Sequence, residues 1–247
     1  IYDFLLSYKT TNNDFIELLN LHLTKLYPII SLEIVDFFNG LLNYVEIFPF
    51  QCESYLLFII KIIELLPTDD FNDKLEISII NCITRSLQKG LDSNWLYSTC
   101  LSSKHFCDLV KDYDNMSFTK KYSTLFFIGS ALRTAPYPYI KFFFLSDDID
   151  QFSLIEIVLQ NIEQSNVEVV IECLTIITIF FEINECICGK TAEFNENDCM
   201  VFHRLFAFIL DSLDLNLDEF SKLESEEIMS LALSLDSIMK QYEHNES

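Results

Sequence analysis

Residues 166–184 read NVEVVIECLTIITIFFEIN, an apolar stretch interrupted by three glutamates. Its polar side chains include Glu168, Glu172, Thr175 and Glu182, which are separated by four, three and seven residues. These intervals place them in one narrow stripe along an α-helix, because a helix turns once in about 3.6 residues. The remaining positions are almost all apolar. The stretch therefore predicts a helix that is buried over most of its circumference.

This stretch is not expected to cross a membrane, and neither is the apolar run at 55–66. A membrane-spanning helix needs about 20 residues with few or no charges. The glutamates interrupt 166–184, and Lys61 and Glu64 interrupt the other run. We therefore expect no membrane insertion.

Amphipathic helical segments continue along the rest of the chain and group into five pairs, with short breaks between successive helices. Pro28, Pro67, Gly90 and Pro136 mark four of these breaks, because proline lacks the amide donor that a helix needs and glycine commonly ends one. The predicted first helices are 14–26, 52–66, the two pieces 94–101 and 104–112, 153–163, and 198–213. The predicted second helices are 31–47, 72–89, 119–134, 166–184 and 224–242.

The spacing of the second helices indicates a repeat. Their starts are 41, 47, 47 and 58 residues apart, and armadillo and HEAT units are about 40–47 residues long. In this spacing and helix order the chain resembles armadillo and HEAT repeat proteins. The resemblance implies an all-α, right-handed superhelical solenoid of about five stacked antiparallel helix pairs. It also implies a single repeat domain over 1–247, which we expect to be a fragment because it begins at Ile1. The alternative is a compact helical bundle.

The charge of the chain narrows the class of partner. A net charge of −22 opposes binding to nucleic acid or to anionic lipid, both of which need a concentrated positive surface. Residues 193–247 hold 13 acidic residues against three basic ones, a net charge of −10. This acidic end is either a solvated surface or a docking face for a protein with Lys- or Arg-rich segments.

The eight cysteines are scattered rather than arranged as a disulfide framework. Cys82 and Cys173 lie on apolar helix faces and are predicted to be buried free thiols, which favours a reducing compartment, the cytoplasm or the nucleus. One group has the ligand types of a zinc site, namely Cys186, Cys188, Cys199 and His203. Only one residue separates the first two cysteines, where zinc sites commonly have two to four. We therefore interpret these thiols as incidental and predict no metal.

No motif in the sequence indicates catalysis or a cofactor. The four glycines are isolated, so no phosphate-binding loop is present, and the sequence contains neither a His-Glu-x-x-His pair nor a glycine-flanked serine elbow. Adjacent carboxylates such as Glu226 and Glu227 lie at a predicted helix start, where they favour the helix dipole. We therefore expect a protein that is not an enzyme and holds no cofactor.

These observations together predict a protein–protein interaction scaffold or adaptor that presents an extended concave surface formed by the second helices. The alternatives are a regulatory domain of an enzyme and a structural subunit of a large assembly. Armadillo import adaptors repeat Trp and Asn one helical turn apart, whereas here Trp95 is followed by Thr99, so the resemblance does not extend to that subclass. The predicted protein-binding residues are polar positions on otherwise apolar second helices: Asn81, Arg85, Arg133, Glu168 and Glu172.

Overall fold

The computed structural model describes residues 29–44, 73–91, 110, 113–135, 153–162, 166–188, 196–213, 220, 222 and 224–245. Within these residues the regular elements are seven α-helices and one short 3₁₀ helix, and none is a strand. The all-α prediction is therefore confirmed for this part of the chain. The helices are α1 (Ile29–Tyr44), α2 (Asp73–Gln88), α3 (Phe118–Thr134), α4 (Ser153–Ile162), α5 (Val167–Cys188), α6 (Glu196–Ser212) and α7 (Glu226–Asn245), and the 3₁₀ helix is Tyr113–Asn115.

Each of the seven helices corresponds to a predicted one, and their ends differ from the predicted ends by at most four residues. The second helices of the five predicted pairs are α1, α2, α3, α5 and α7, and the first helices of pairs four and five are α4 and α6. The other predicted first helices, at 14–26, 52–66, 94–101 and 104–112, lie outside the described residues except for Val110, which is helical and buried.

Local sequence explains where α2 begins and ends. Asp73 and Glu76 occupy its first turn and Arg85 its last, so all three charges interact favourably with the helix dipole. Beyond the helix, Gly90 has a φ of +98°, a left-handed conformation that glycine adopts without steric cost. Its N–H donates to the Leu87 carbonyl at 3.1 Å, and the next N–H, of Leu91, donates to the Ser86 carbonyl at 2.9 Å. These two bonds form a Schellman motif, which satisfies the last carbonyls of the helix.

Side-chain caps fix the starts of α5 and α7. Asn166 Oδ1 accepts the backbone N–H groups of Glu168 and Val169 at 3.0 and 3.3 Å. Ser225 Oγ accepts the N–H of Ile228 at 3.3 Å. Both residues therefore satisfy N–H groups that lack a partner inside the helix.

The chain divides into two compact units. Unit 1 comprises Ile1–His105 and Ser117–Phe127, and unit 2 comprises Phe106–Met116 and Ile128–Ser247, so α3 contributes to both. In unit 1, α1 packs against α2. Whether residues 1–247 form one repeat domain stays a prediction.

In unit 2, α5 contacts α4, α6 and α7, and α4 also contacts α6. The aromatic core lies between α5 and α6. The ring of Phe180 stacks on Phe202 with centroids 5.5 Å apart, and Phe181 meets Phe206 edge-on at 5.1 Å. All four side chains are buried. The predicted burial of α5 is thus confirmed. No helix within the described ranges is long and apolar enough to cross a membrane.

The predicted polar stripe of α5 is confirmed at three of its four positions. Glu168 and Glu182 are exposed and Thr175 is half-buried. Glu172, by contrast, is only 2% exposed. A specific partner explains its burial, as described below.

Candidate functional site

A groove of about 530 Å³ in unit 1 brings together two of the predicted protein-binding residues, Asn81 and Arg85. It runs along α1 and α2 and reaches the start of α3. Groove-lining residues on α2 recur at intervals of three and four, which places them on one face of that helix. Among the described residues, the polar ones that line the groove are Asp36, Asn39, Lys74, Ser78, Asn81, Arg85, Ser117 and Thr119.

A hydrogen-bond network joins α1 to α2 beneath this groove. The Nδ2 group of Asn39 donates to the carbonyl oxygen of Ser78 at 2.7 Å and to its hydroxyl at 2.9 Å. That hydroxyl in turn donates to the carboxylate of Asp36. Farther along, Nη1 of Arg85 donates to the backbone carbonyl of Asn39 at 2.9 Å. The network holds the two helices side by side and fixes the orientation of the Asn39 amide.

The same amide leaves one acceptor without a partner. Asn39 is 8% exposed, and its Oδ1 is a buried oxygen to which no group in the described part of the chain donates a hydrogen bond. Leaving a buried polar atom unpaired costs about 1–3 kcal/mol, so native structures seldom retain such atoms without a reason. Asn39 is also among the residues that line the groove.

Arg85 contributes positive charge to the groove. Its side chain is half-buried, and the partner of its Nη1 is a neutral carbonyl oxygen. No ion pair joins it to a carboxylate within the described residues. A guanidinium has five N–H donors in a planar arrangement that matches a carboxylate, so Arg85 can hydrogen-bond a further acceptor.

Arg133 and Glu172, two further predicted residues, form a partly buried ion pair in unit 2. Nη1 of Arg133 donates to Oε1 of Glu172 at 2.8 Å, and its Nη2 contacts Oε2. The Glu172 side chain is 3% exposed and that of Arg133 38%. Gly129 allows this burial, because a Cβ atom at that position would fall onto Oε1 of Glu172. The pair therefore connects α3 to α5, and the Glu172 carboxylate faces protein rather than solvent.

Burial raises the pKa of the Glu172 carboxyl above its ordinary value, because desolvation disfavours the charged form. Arg133 opposes this rise through its hydrogen bonds and its charge, whereas the negative charge of Glu227 on α7 adds to it. The rise shows that burial outweighs the attraction of the arginine. Glu168, the remaining predicted residue, is exposed in the first turn of α5.

The cysteine and histidine predictions are tested only in part. Cys82 and Cys173 are fully buried free thiols, as predicted, and burial raises the pKa of the Cys82 thiol to about 12. Cys199 is half-buried and His203 exposed, one turn apart on α6. The side chains of Cys186 and Cys188 lie outside the described residues. In the ranges that are described, no three His, Cys, Asp or Glu side chains form a group that could hold a metal ion.

Sequence reasoning did not select Asn39, although a signal for it exists. Asn39 precedes Asn81 by 42 residues, close to the interval of 41 between the predicted starts of their helices. The two asparagines therefore occupy nearly equivalent positions on successive second helices.

Comparison of the chain with protein-family models, curated proteins and solved structures gives no match.

Proposed function

We propose that this chain is a non-catalytic protein-binding scaffold, in which helix pairs stack and the second helices form the face that receives a segment of a partner protein. Contacts between second helices support the stacking. In unit 1, α1 packs on α2, and Lys120 of α3 pairs with Glu76 of α2. In unit 2, Arg133 of α3 pairs with Glu172 of α5, and α5 packs on α7. Within each unit the second helices thus contact one another in chain order, as expected of stacked repeats.

The observation that carries the proposal is the groove of unit 1, which Asn81 and Arg85 of α2 line. An extended peptide segment presents N–H donors and C=O acceptors along its length. The Asn81 amide has both a donor and an acceptor, and the Arg85 guanidinium has further donors. The groove therefore offers both kinds of group that an extended backbone needs.

The distribution of charge supports a partner with Lys- or Arg-rich segments. Unit 2 contains 25 acidic and seven basic residues, a net charge of −18, whereas unit 1 contains 13 and nine, a net charge of −4. A strongly negative surface accelerates encounter with basic segments and disfavours acidic proteins. We propose that unit 2 supplies this attraction.

Selection of displayed random peptides on the immobilised chain tests the scaffold. Selected peptides are expected to bind the Asn81→Ala variant on the order of tenfold more weakly, because a loss of about 1.4 kcal/mol corresponds to that factor. The matched control is Gln88→Ala, which removes an exposed amide from the same helix outside the groove. Failure to select any peptide, or equal weakening by both variants, would contradict the proposal.

A charge reversal tests the attraction of basic segments. Glu168→Lys is expected to slow the association of Lys-rich peptides more than Glu156→Lys does, because Glu168 is exposed on a second helix and Glu156 on a first helix. Glu172 is unsuitable for this reversal, since its carboxylate is buried and its replacement would break the ion pair with Arg133. The difference should disappear at 1 M salt, where the Debye length is about 3 Å. If Lys-rich and Glu-rich peptides bind equally well at low salt, the acidity of the chain has no role in recognition.

A further inference from the structure

The carboxylate of Glu172 on α5 interacts with charged groups of two other helices in unit 2. Nη1 of Arg133, in the last turn of α3, donates to its Oε1 at 2.8 Å. Glu227, in the first turn of α7, acts on the same carboxylate through its negative charge. The Glu172 side chain is 3% exposed, so water screens these interactions less than it would at the surface. A single buried charge therefore acts on both α3 and α7.

The two interactions have opposite signs. The charge of Glu172 attracts Arg133 and so strengthens the link between α5 and α3. The same charge repels Glu227 and so opposes the packing of α7 on α5. The positive end of the α7 dipole, equivalent to about half an elementary charge, offsets only part of this repulsion.

The other helices in contact with α5 leave this balance unchanged. These are α4 and α6, and neither places a charged group among the main influences on the pKa of Glu172. Their charged side chains are exposed or half-buried in the described part of the chain: Glu156 on α4, and Glu196, Asp198, His203, Arg204 and Asp211 on α6. The adjacent thiol of Cys173 is buried and its pKa is raised, so it is neutral at physiological pH. The main charges that act on Glu172 are thus those of Arg133 and Glu227.

Burial makes the charge of Glu172 sensitive to pH. Desolvation raises the pKa of its carboxyl above the ordinary value, so the carboxyl binds a proton at a higher pH than an exposed glutamate does. Protonation abolishes the repulsion of Glu227. It also leaves the Arg133 guanidinium bonded to a neutral acceptor, which is a weaker hydrogen-bond partner than a carboxylate. One proton therefore affects the two helices in opposite directions.

We propose that Glu172 is a pH-sensitive switch that alternates between α3 and α7. While its carboxylate is charged, it holds the last turn of α3 through Arg133 and keeps the first turn of α7 loosely packed. When it is protonated, its hold on α3 weakens and α7 packs more closely on α5. The switch does not depend on what the chain binds, so it is independent of the scaffold proposal.

The test measures hydrogen exchange of backbone amides by nuclear magnetic resonance on the unmodified chain and on Glu172→Gln, whose uncharged amide mimics the protonated carboxyl. At pH 7 the amides of residues 229–232 in α7 should be protected roughly twofold more in the variant, as expected of a partly screened charge interaction. The amides of residues 131–134 in α3 should be protected roughly twofold less. After correction for the intrinsic exchange rate, the unmodified chain should show both changes as pH falls from 7 to 5. Glu172→Gln should show neither.

A second pair of variants isolates the contribution of α7. The effect of Glu227→Gln on the protection of α7 should be roughly twofold more favourable in the unmodified chain than in the Glu172→Gln background, because the repulsion needs both charges. The matched control is Glu226→Gln, which removes a charge from the same turn but not one of the main influences on Glu172. Its effect should be the same in both backgrounds.

The proposal is wrong if Glu172→Gln changes α3 and α7 in the same direction or changes neither. It is also wrong if the pH response persists in Glu172→Gln, or if Glu227→Gln has the same effect in both backgrounds. Should Glu172→Gln fail to fold, the pH titration of the unmodified chain decides. Protection that is unchanged between pH 7 and pH 5, or that moves the same way in both helices, would then refute the switch.

Discussion

The partly buried ion pair between Arg133 and Glu172 allows a quantitative test of the packing between α3 and α5. Replacing Arg133 with Met keeps an apolar side chain of similar length but leaves the Glu172 carboxylate without its positive partner. Removing one member of a fully buried pair costs about 3–5 kcal/mol, because an uncompensated charge remains inside the protein. The Arg133 side chain is 38% exposed, so solvent already screens part of this interaction. We therefore expect a loss of about 2–4 kcal/mol in the free energy of unfolding at pH 7.

The opposite substitution, Glu172→Gln, should cost much less. It removes the charge whose burial is unfavourable and retains an oxygen that can accept a hydrogen bond from Arg133. The guanidinium that remains is partly exposed, so water can solvate it. The expected change is within about 1 kcal/mol in either direction, because the desolvation cost of a buried pair largely offsets its attraction. The pair is thus predicted to be asymmetric, with Arg133 the more costly residue to replace.

The same reasoning predicts a pH dependence with a defined sign. The pKa of Glu172 is raised in the folded chain above its ordinary value of 4.5. The folded state therefore binds this proton more tightly, and the contribution to stability is fully present below pH 4.5 and is lost as pH rises through the folded pKa. Glu172→Gln should remove that dependence. In Arg133→Met the pKa should rise further, so its deficit in the free energy of unfolding should be smaller at pH 5 than at pH 7.

Urea unfolding followed by circular dichroism at pH 5 and pH 7 measures all three quantities. The matched control is Lys240→Met, since Lys240 pairs with Asp236 at 2.7 Å on the exposed face of α7 and its side chain is 65% exposed. Its loss should be at most about 0.5 kcal/mol. Equal losses for Arg133→Met and Glu172→Gln, or a loss for Arg133→Met that does not change with pH, would refute the reasoning.

Three further predictions concern single positions. Gly129→Ala should lower the free energy of unfolding by about 1–3 kcal/mol, because the new methyl group displaces Glu172, and it should be harmless in a Glu172→Ala background where that space is free. Gly90→Ala should cost about 1 kcal/mol through its φ of +98° alone, since the added Cβ would have no atom within 4 Å; an unchanged urea midpoint would disprove this. Cys82, whose thiol pKa is raised to about 12, should resist iodoacetamide at pH 8 in the folded chain and react in urea, as measured by mass spectrometry; rapid labelling without urea would be inconsistent with its burial.

Hydrophobic periodicity was sufficient to predict the helices, because burial of one face constrains a helix more strongly than any single residue does. The predicted end of α5 shows the limit of the method. The sequence pattern predicts an end at Asn184, a residue of low helix propensity, whereas the helix continues to Cys188.

The candidate site was only partly predictable for a related reason. The sequence pattern selects polar residues on apolar helices, and two of these, Asn81 and Arg85, lie together in one groove, although their role in binding stays a prediction. The burial of Glu172 was not readable, because its partner Arg133 and the space above Gly129 come from a helix about 40 residues earlier. Likewise, the unpaired oxygen of Asn39 depends on how Ser78 and Asp36 orient its amide. Hydrophobic periodicity identifies which face of a helix is buried, whereas the side-chain contacts between two helices depend on how those helices pack.

The scaffold proposal is tested most directly by nuclear magnetic resonance of the ¹⁵N-labelled chain with a peptide recovered by selection. We expect saturable shifts of the side-chain amide signals of Asn39 and Asn81 and of backbone amides in α1 and α2, because both asparagines line the groove. The side-chain amide of Asn161 on α4 donates to the Ile157 carbonyl at 2.7 Å, and its signal serves as an internal reference that should not shift. Saturable binding that leaves the Asn39 and Asn81 signals unchanged would contradict the proposed site, and the absence of any binding peptide would contradict the proposed function.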